Sequence, residues 1–561
     1  MKLTDRLTDL RLGVSMATLG RREFARLLRS AQDPDATQKR TLSRIQASLA
    51  ATAFGRSLGL DRRHDVDAFR KHVPIHSYEA LRPWIERQIA GEAAAIAPTP
   101  PVMYARTSGT TGAPKLVPVT SEVLRGLRRA QRVMAYSQQR EANAFTGKLL
   151  AIGGVSREIT LPGNVPAGAT TGLIYETMPR MMRAKYVVPW QAFGVDDPDL
   201  KYATIIRLGL QHRDVSVIAT ANPSTILRLV DIMRGSLSSM IEDVASGAFA
   251  GAAHLLPDQV RAVAAALRPA PGRAAELATV VRSKTPLTLA DVWPELKAVV
   301  TWTQGSCALA AKAVASMLPP GALLVEAGYV ASELRATVVV DARRGLGLPL
   351  VDDVFFEFVP VEAWDQGTRE TLLLHELEEG RDYQILATTA AGLVRYHMND
   401  VVRATQRIGA TSTLAFVRKG RGVTSITGEK VAEDQVAVAV QRLASSLGVA
   451  VPFYVFIADE ARAAYFAHLQ IDADPVDRSA AAALLDESLE GLNIEYAAKR
   501  KSGRLNALIV KILSPEAAIA YRRHLVAKGQ REAQLKILTL QRAQDCDFDF
   551  DAFSLDPTNA A

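Results

Sequence analysis

Cysteine is almost missing from this chain: Cys307 and Cys546 are the only two among 561 residues. Two cysteines so far apart build neither a disulfide framework nor a zinc site, and a reducing, cytoplasmic setting is the simplest expectation. A charge-free apolar run of ~20 residues is also lacking, so no membrane-spanning helix and no membrane partner are expected. The start, Met1-Lys2-Leu3-Thr4-Asp5-Arg6-Leu7, mixes charges and has no apolar stretch, so it does not read as a signal peptide. There is no internal repeat, and no low-complexity segment beyond alanine-rich helices. The net charge of +8 has no focus. Its cations fall at Arg125, Arg128, Arg129 and Arg132, at Arg261, Arg268 and Arg273, and at Lys499-Arg500-Lys501, with no nucleic-acid-binding motif around them. A basic surface that attracts a small anionic substrate is the better reading, and no nucleic-acid partner is expected.

What is present is material for a folded core. Hydrophobic residues make up 48% of the chain and charged ones 22%, as in soluble globular proteins. A chain of this length exceeds the ~250–300 residues that one core sustains, so at least two cores are expected. A monomer is expected.

The most informative stretch is Thr107-Ser108-Gly109-Thr110-Thr111-Gly112-Ala113-Pro114-Lys115. Glycines let backbone N–H groups approach an anion, hydroxyls donate to phosphate oxygens, and a lysine adds a mobile charge. The stretch reads as a polyphosphate-cradling loop, with a plain turn as the alternative. It is not a Walker A loop, because Lys115 comes three residues after Gly112 with Pro114 between them. No helix is expected to start there.

The wording of this loop resembles the phosphate loop of adenylate-forming enzymes. Upstream, Val73-Pro74-Ile75-His76-Ser77-Tyr78-Glu79, Pro83-Trp84-Ile85 and Gly91-Glu92 resemble the approach to the same loop in the GH3 family of acyl acid amido synthetases, here read as a bacterial-type member. Three later segments are similar to the family in the same order. They are Trp293 to Glu333 with Gly305 and Tyr329-Val330-Ala331-Ser332-Glu333, then Tyr396-His397-Met398-Asn399-Asp400, then Ser425-Ile426-Thr427-Gly428-Glu429-Lys430. The resemblance implies an enzyme that adenylates a carboxylic acid with ATP and Mg²⁺ and passes the acyl group to an amine, usually of an amino acid. It implies that Thr107 to Gly112 and Lys115 hold phosphates, with Ser108, Thr110 and Thr111 as donors. It further implies that Tyr329 lies against the adenine, that Glu333 helps hold Mg²⁺, that Asp400 grips the ribose, and that Gly305 and Ser332 belong to the same nucleotide site. Gly529-Gln530-Arg531-Glu532-Ala533-Gln534-Leu535-Lys536 resembles the C-terminal segment whose lysine touches the α-phosphate, although the family's proline after Lys536 is absent. Lys528 and Lys501 are competing candidates.

Two departures stand in the third segment. Asn399 takes the usual glycine's place, and asparagine is the side chain that best tolerates left-handed backbone. His397 replaces an arginine and reads as a neutral surface residue. The alternatives to an amido synthetase are an acid–CoA ligase or stand-alone adenylating enzyme delivering to a thiol, and a catalytically silent nucleotide-binding protein.

The patterning predicts an α/β fold. A large N-terminal domain, 1–418, would combine α/β layers with a small β-barrel, and a mobile α+β domain would occupy 419–561. Strands at Val215–Thr220, Ala298–Thr301 and Leu323–Ala327 alternate with helices and call for parallel pairing. Helices are expected over roughly the first 60 residues, where Phe24, Leu27, Leu28 and Ala31 show the spacing, at 121–139 capped by Thr120 or Ser121, and at 225–234 capped by Ser224. The helix start at 121 would add its dipole to the phosphate loop. After Val351, strands at 354–360, 371–374 and 382–389 read as antiparallel. The tail predicts helices at 433–447 and 478–489 around strands at 453–457 and 465–471. Arg418-Lys419-Gly420-Arg421-Gly422 suits a hinge. Acid-pocket residues are expected on the helix after Ser121 and around 222–229, with Met134, Leu227 and Val230 making it apolar.

Overall fold

Three apolar segments that read as buried strands pair in parallel with a fourth. In the computed structural model the order is Lys148–Ala151, Val215–Ala219, Ala298–Thr301 and Leu323–Glu326. The structure describes residues 11–60, 64–106, 115–283, 286–420, 422–424, 426, 429, 431–459, 461–472, 477–501, 503, 505–530, 532, 535 and 537–555. These divide into two compact units. One comprises the chain up to 303 with 311–398 and 402–416; the other takes 304–310, 399–401 and 417 onward.

In the first unit the parallel sheet is covered by helices, among them Pro198–Leu210, Pro223–Ser246 and Pro271–Ser283. They bury Ile205, Leu229, Met233 and Leu277 against it, and Trp293 joins the same core. Helical layers on a parallel sheet are what continuous apolar strands require. The helix Pro223–Ser246 begins before Ser224, so Ser224 stands in its first turn and is not its cap. Pro223, whose fixed φ suits the first helical position, sets the start.

A second sheet orders Leu116–Val119, Met103–Arg106, Val165–Gly168 and Ile159–Leu161. Its first two strands are an antiparallel pair in which Arg106 faces Leu116. The loop 107–114 therefore joins a hairpin. A strand follows Lys115, as the Pro-Lys spacing implied, and the helix Ser121–Ala142 comes only after it. Thr120 caps that helix by accepting from the Val123 N–H at 3.3 Å. Along the chain the strand Leu116–Val119 stands between that helix start and the loop 107–114, which lies outside the described residues.

Further along, Phe355–Pro360, Asp382–Thr388, Tyr396–Ile408 and Thr411–Lys419 make a four-stranded sheet, and Thr337–Asp341 pairs with Leu346–Pro349. The segment 371–374 is not a regular strand; Leu372 alone bridges to Phe358. The Glu376 carboxylate accepts from the Leu373 N–H at 2.7 Å and turns the chain into the short helix Leu374–Glu376. Such local side-chain bonds compete with a sheet ladder. This sheet and the N-terminal helices share a core around Leu42, Phe69, Phe355, Phe358 and Tyr396.

The second unit carries a sheet in the order Ile509–Ile512, Ala464–Gln470, Phe453–Asp459 and Leu540–Arg542. Helices Glu433–Leu447 and Arg478–Leu492 pack on each other, with Val436, Val440, Leu485 and Leu489 buried. Both helices and both central strands lie where their periodicity placed them. Among the described residues no helix is long and apolar enough to cross a membrane.

Candidate active site

Lys115 is half-buried and fixed. Its Nζ donates to the Tyr396 hydroxyl at 3.2 Å and stands 5.3 Å from the Tyr78 ring centroid. Tyr78 is fastened in turn: its hydroxyl accepts from the Leu116 N–H at 2.7 Å. Burial raises the Tyr78 phenol above its ordinary range, so it stays neutral. An aromatic pair thus presents the lysine at the end of the hairpin loop. The rest of that loop, Thr107, Ser108, Gly109, Thr110, Thr111 and Gly112, lies outside the described residues, as do Lys536 and most of 425–430.

The segment 73–79 reaches the strand that opens at Tyr396. The His76 ring nitrogen Nδ1 lies 2.8 Å from the Val394 carbonyl, and the His76 N–H donates to the Arg395 carbonyl. Arg395 has left-handed backbone at φ +42 and a buried guanidinium. That guanidinium grips the buried Glu357 through two nitrogens and also donates to the carbonyls of Arg70 and Val73. The turn before Tyr396 depends on Gly392, at φ +98, where a Cβ would meet the Ile96 carbonyl at 2.5 Å.

Asn399 sits at φ +52, the backbone its glycine-like position requires. His397 is not the surface residue expected. It is half-buried, its ring stacks on Trp364 at 4.1 Å and 24°, and Nε2 lies 3.1 Å from Gln384 Oε1. The helix Val361–Asp365, which follows the strand Phe355–Pro360, delivers Trp364, whose ring also carries Arg369 at 3.8 Å. Asp400 is buried and is grouped with the second unit.

Tyr329, Ser332 and Glu333 share one loop after the last parallel strand. Tyr329 is buried, with its ring 5.7 Å from Phe416 and its N–H donating to Thr337 Oγ1. Glu333 is half-buried. Sequence reasoning missed the carboxylate that sets this loop. Glu326 ends its strand, is buried, and accepts from Thr303 N–H at 2.7 Å, Thr303 Oγ1 at 2.6 Å and Gly328 N–H at 2.9 Å. Burial pushes its pKa up against those donors. It joins the loops after two adjacent parallel strands at their carboxyl ends, where open α/β sheets bind ligands. Gly305, at φ +58, opens the short helix Gly305–Cys307, which belongs to the second unit and packs beside the helix Glu433–Leu447. Cys307 is half-buried. Among the described residues, no group of three His, Cys, Asp or Glu side chains is placed to hold a metal.

Of the expected acid-pocket residues, Val230 belongs to the core under the parallel sheet, and Leu227 packs against that core half-buried. Met134 is half-buried, with its sulfur 3.1 Å from Arg335 Nη1.

Comparison with known proteins covers most of the chain. Residues 23–320 match the GH3 family N-terminal domain, 347–419 the GH3 family central domain and 434–545 the GH3 family C-terminal domain. An indole-3-acetic acid-amido synthetase, GH3.8 of Oryza sativa subsp. indica, is 27% identical over 90% of this chain and 87% of its own. A jasmonoyl–L-amino acid synthetase, JAR6 of Nicotiana attenuata, is 24% identical over 90% of each. In three dimensions the GH3.15 acyl acid amido synthetase superposes with a TM-score of 0.81 over 94% of both chains at 20% identity. A 2-hydroxyisobutyryl-CoA ligase shares the fold more loosely, at a TM-score of 0.53 and 12% identity. With matches to all three domains in order, the chain belongs to the GH3 family.

Proposed function

We infer that this protein is an ATP-dependent acyl acid amido synthetase. It converts a carboxylic acid to an acyl-adenylate and then transfers the acyl group to an amine, releasing AMP. The carrying observation is the ordered match to the GH3 N-terminal, central and C-terminal domains between 23 and 545. The relatives named jasmonoyl–L-amino acid synthetases point to an amino acid as the acceptor. Their 24–25% identity leaves room for a lineage separate from the plant enzymes, and a bacterial-type member is our reading.

A carboxylate is a poor electrophile because its leaving group would be oxide. Its oxygen attacks the α-phosphate, pyrophosphate departs, and AMP becomes the leaving group for the amine. The amine then attacks the acyl carbon and loses a proton. Catalysis of the first half is positioning and charge neutralisation. We assign the phosphates to Ser108, Thr110 and Thr111 with the backbone of Thr107, Gly109 and Gly112. Lys115, braced by Tyr78 and Tyr396, adds charge. Tyr329, with Ser332 and Gly305, takes the adenine, and Asp400 takes the ribose. Mg²⁺ typically takes one or two carboxylates plus substrate phosphates, so a single carboxylate such as Glu333 fits it. When bound, it neutralises phosphate charge. Lys536 serves the α-phosphate in the first half only, on a C-terminal domain hinged near 418–419.

We read the antiparallel sheets after Val351 as the counterpart of a small barrel. The protein is taken as a cytoplasmic monomer. Acid-dependent exchange of pyrophosphate into ATP tests the first half-reaction. Exchange with at least one acid of a broad panel is expected, and Asp400→Ala should raise the KM for ATP markedly. Failure of every acid would contradict the reading.

A further inference from the structure

Among the described residues of the first unit, Arg335 keeps one edge of its guanidinium unused by the protein. It lies two residues past Glu333, where the helix Ser121–Ala142 packs along the strand Thr337–Asp341. Its protein contacts all use Nη1, which donates to Met134 Sδ at 3.1 Å, the Ala327 carbonyl at 3.3 Å and the Thr337 carbonyl at 3.5 Å. Nε and Nη2 donate to no described residue, and neither is sealed in the protein interior. No carboxylate pairs with this guanidinium among the described residues. The contrast is Arg395, whose three nitrogens all donate, to Glu357 and two carbonyls.

An open Nε–Nη2 edge is a planar fork that matches the two oxygens of a carboxylate or similar oxyanion. The surroundings make such a pairing strong. Protein crowds the group enough to push its pKa down to about 10, yet it keeps accessible surface.

We propose that Arg335 reads a second acidic group on the acid substrate, so that the preferred acids carry a carboxylate or comparable oxyanion remote from the carboxyl that is adenylated. The inference rests on the amido synthetase reading and replaces the wholly apolar pocket expected from Met134, Leu227 and Val230. The reacting carboxyl is the poorer match. A bidentate guanidinium would occupy the lone pairs that must attack phosphorus, whereas a non-reacting group can be held equally in ground and transition states.

The test compares acids of one skeleton, hexanoate against hexanedioate and benzoate against benzene-1,4-dicarboxylate. The wild-type ratio of kcat/KM, diacid over monoacid, is expected at roughly 100, because a site built to hydrogen-bond a group strongly rejects analogues without it. In Arg335→Met that ratio should fall to about one, mainly through KM, and Arg335→Lys should retain part of it. A wild-type ratio below one, or an unchanged ratio in Arg335→Met, would overturn the proposal. Calorimetric binding of the same acids separates the two readings. Tighter diacid binding by wild type without any exchange would fault the proposed function alone. Exchange with monoacids and no diacid preference would fault this inference alone. Should Arg335→Met fail to fold, the wild-type ratio and Arg335→Lys decide.

Discussion

At the scale of single residues, the site is framed by groups that hold other groups still. Arg395 costs backbone strain at φ +42, and its compensation is a buried ion pair with Glu357 plus two carbonyl contacts. His76 ties the segment before the hairpin to this strand, and its burial, with Arg395 close by, holds its pKa below 6.5. A histidine depressed in the folded state contributes stability that is intact above the unfolded pKa. As pH falls below about 6.5 the unfolded ring takes a proton that the folded ring resists, so stability is lost until the folded pKa is reached. Melting temperatures of wild type and His76→Gln from pH 8 to pH 5 check this. The advantage of wild type should shrink on acidification; an advantage that grows would show that His76 gains charge on folding. The sequence made some of this legible. Asn399 was readable as left-handed backbone because its side-chain chemistry is local. The Arg395–Glu357 pair was not, since 38 residues separate its partners and neither differs in pattern from a solvated charge.

Elements were legible where one physical rule dominated. The strands 298–301 and 323–326 each run three apolar residues before one polar end residue, and the two pair in parallel. The helix Glu433–Leu447 shows its period in Val436, Ala439, Val440 and Leu443, all buried. Errors arose where a neighbour outvoted the pattern, as with Pro223 ahead of Ser224 and Glu376 at the end of the 371–374 run. Two glycines give opposite expectations at this scale. At Gly147, just before the first parallel strand, a Cβ would lie 1.8 Å from the Asp214 carbonyl oxygen, which accepts from Lys148 N–H. Gly147→Ala should cost about 1–3 kcal/mol or more, as overpacking does. Gly235, inside the helix Pro223–Ser246, has nothing within 4 Å of the added Cβ. Gly235→Ala should stabilise by up to about 1 kcal/mol. Denaturant midpoints that move the same way for both would contradict this packing.

For the whole molecule, the ordered GH3 matches leave one chemical question above the rest. Adenylation is common to amide- and thioester-forming relatives of the fold, so only the second half-reaction separates them. Family membership, not the fold, argues for an amine, because the CoA ligase shares the fold at a TM-score of 0.53. In sequence the family was carried by four short segments in a fixed order. The acceptor was not, because no motif of the chain marks an amine or a thiol. The deciding measurement supplies an acid that supports exchange, together with ATP, Mg²⁺ and either a mixture of amino acids or coenzyme A, and identifies products by mass spectrometry. AMP release stimulated by an amino acid, with an N-acyl amino acid as product, is expected. An acyl-CoA thioester formed in place of any amide would contradict it.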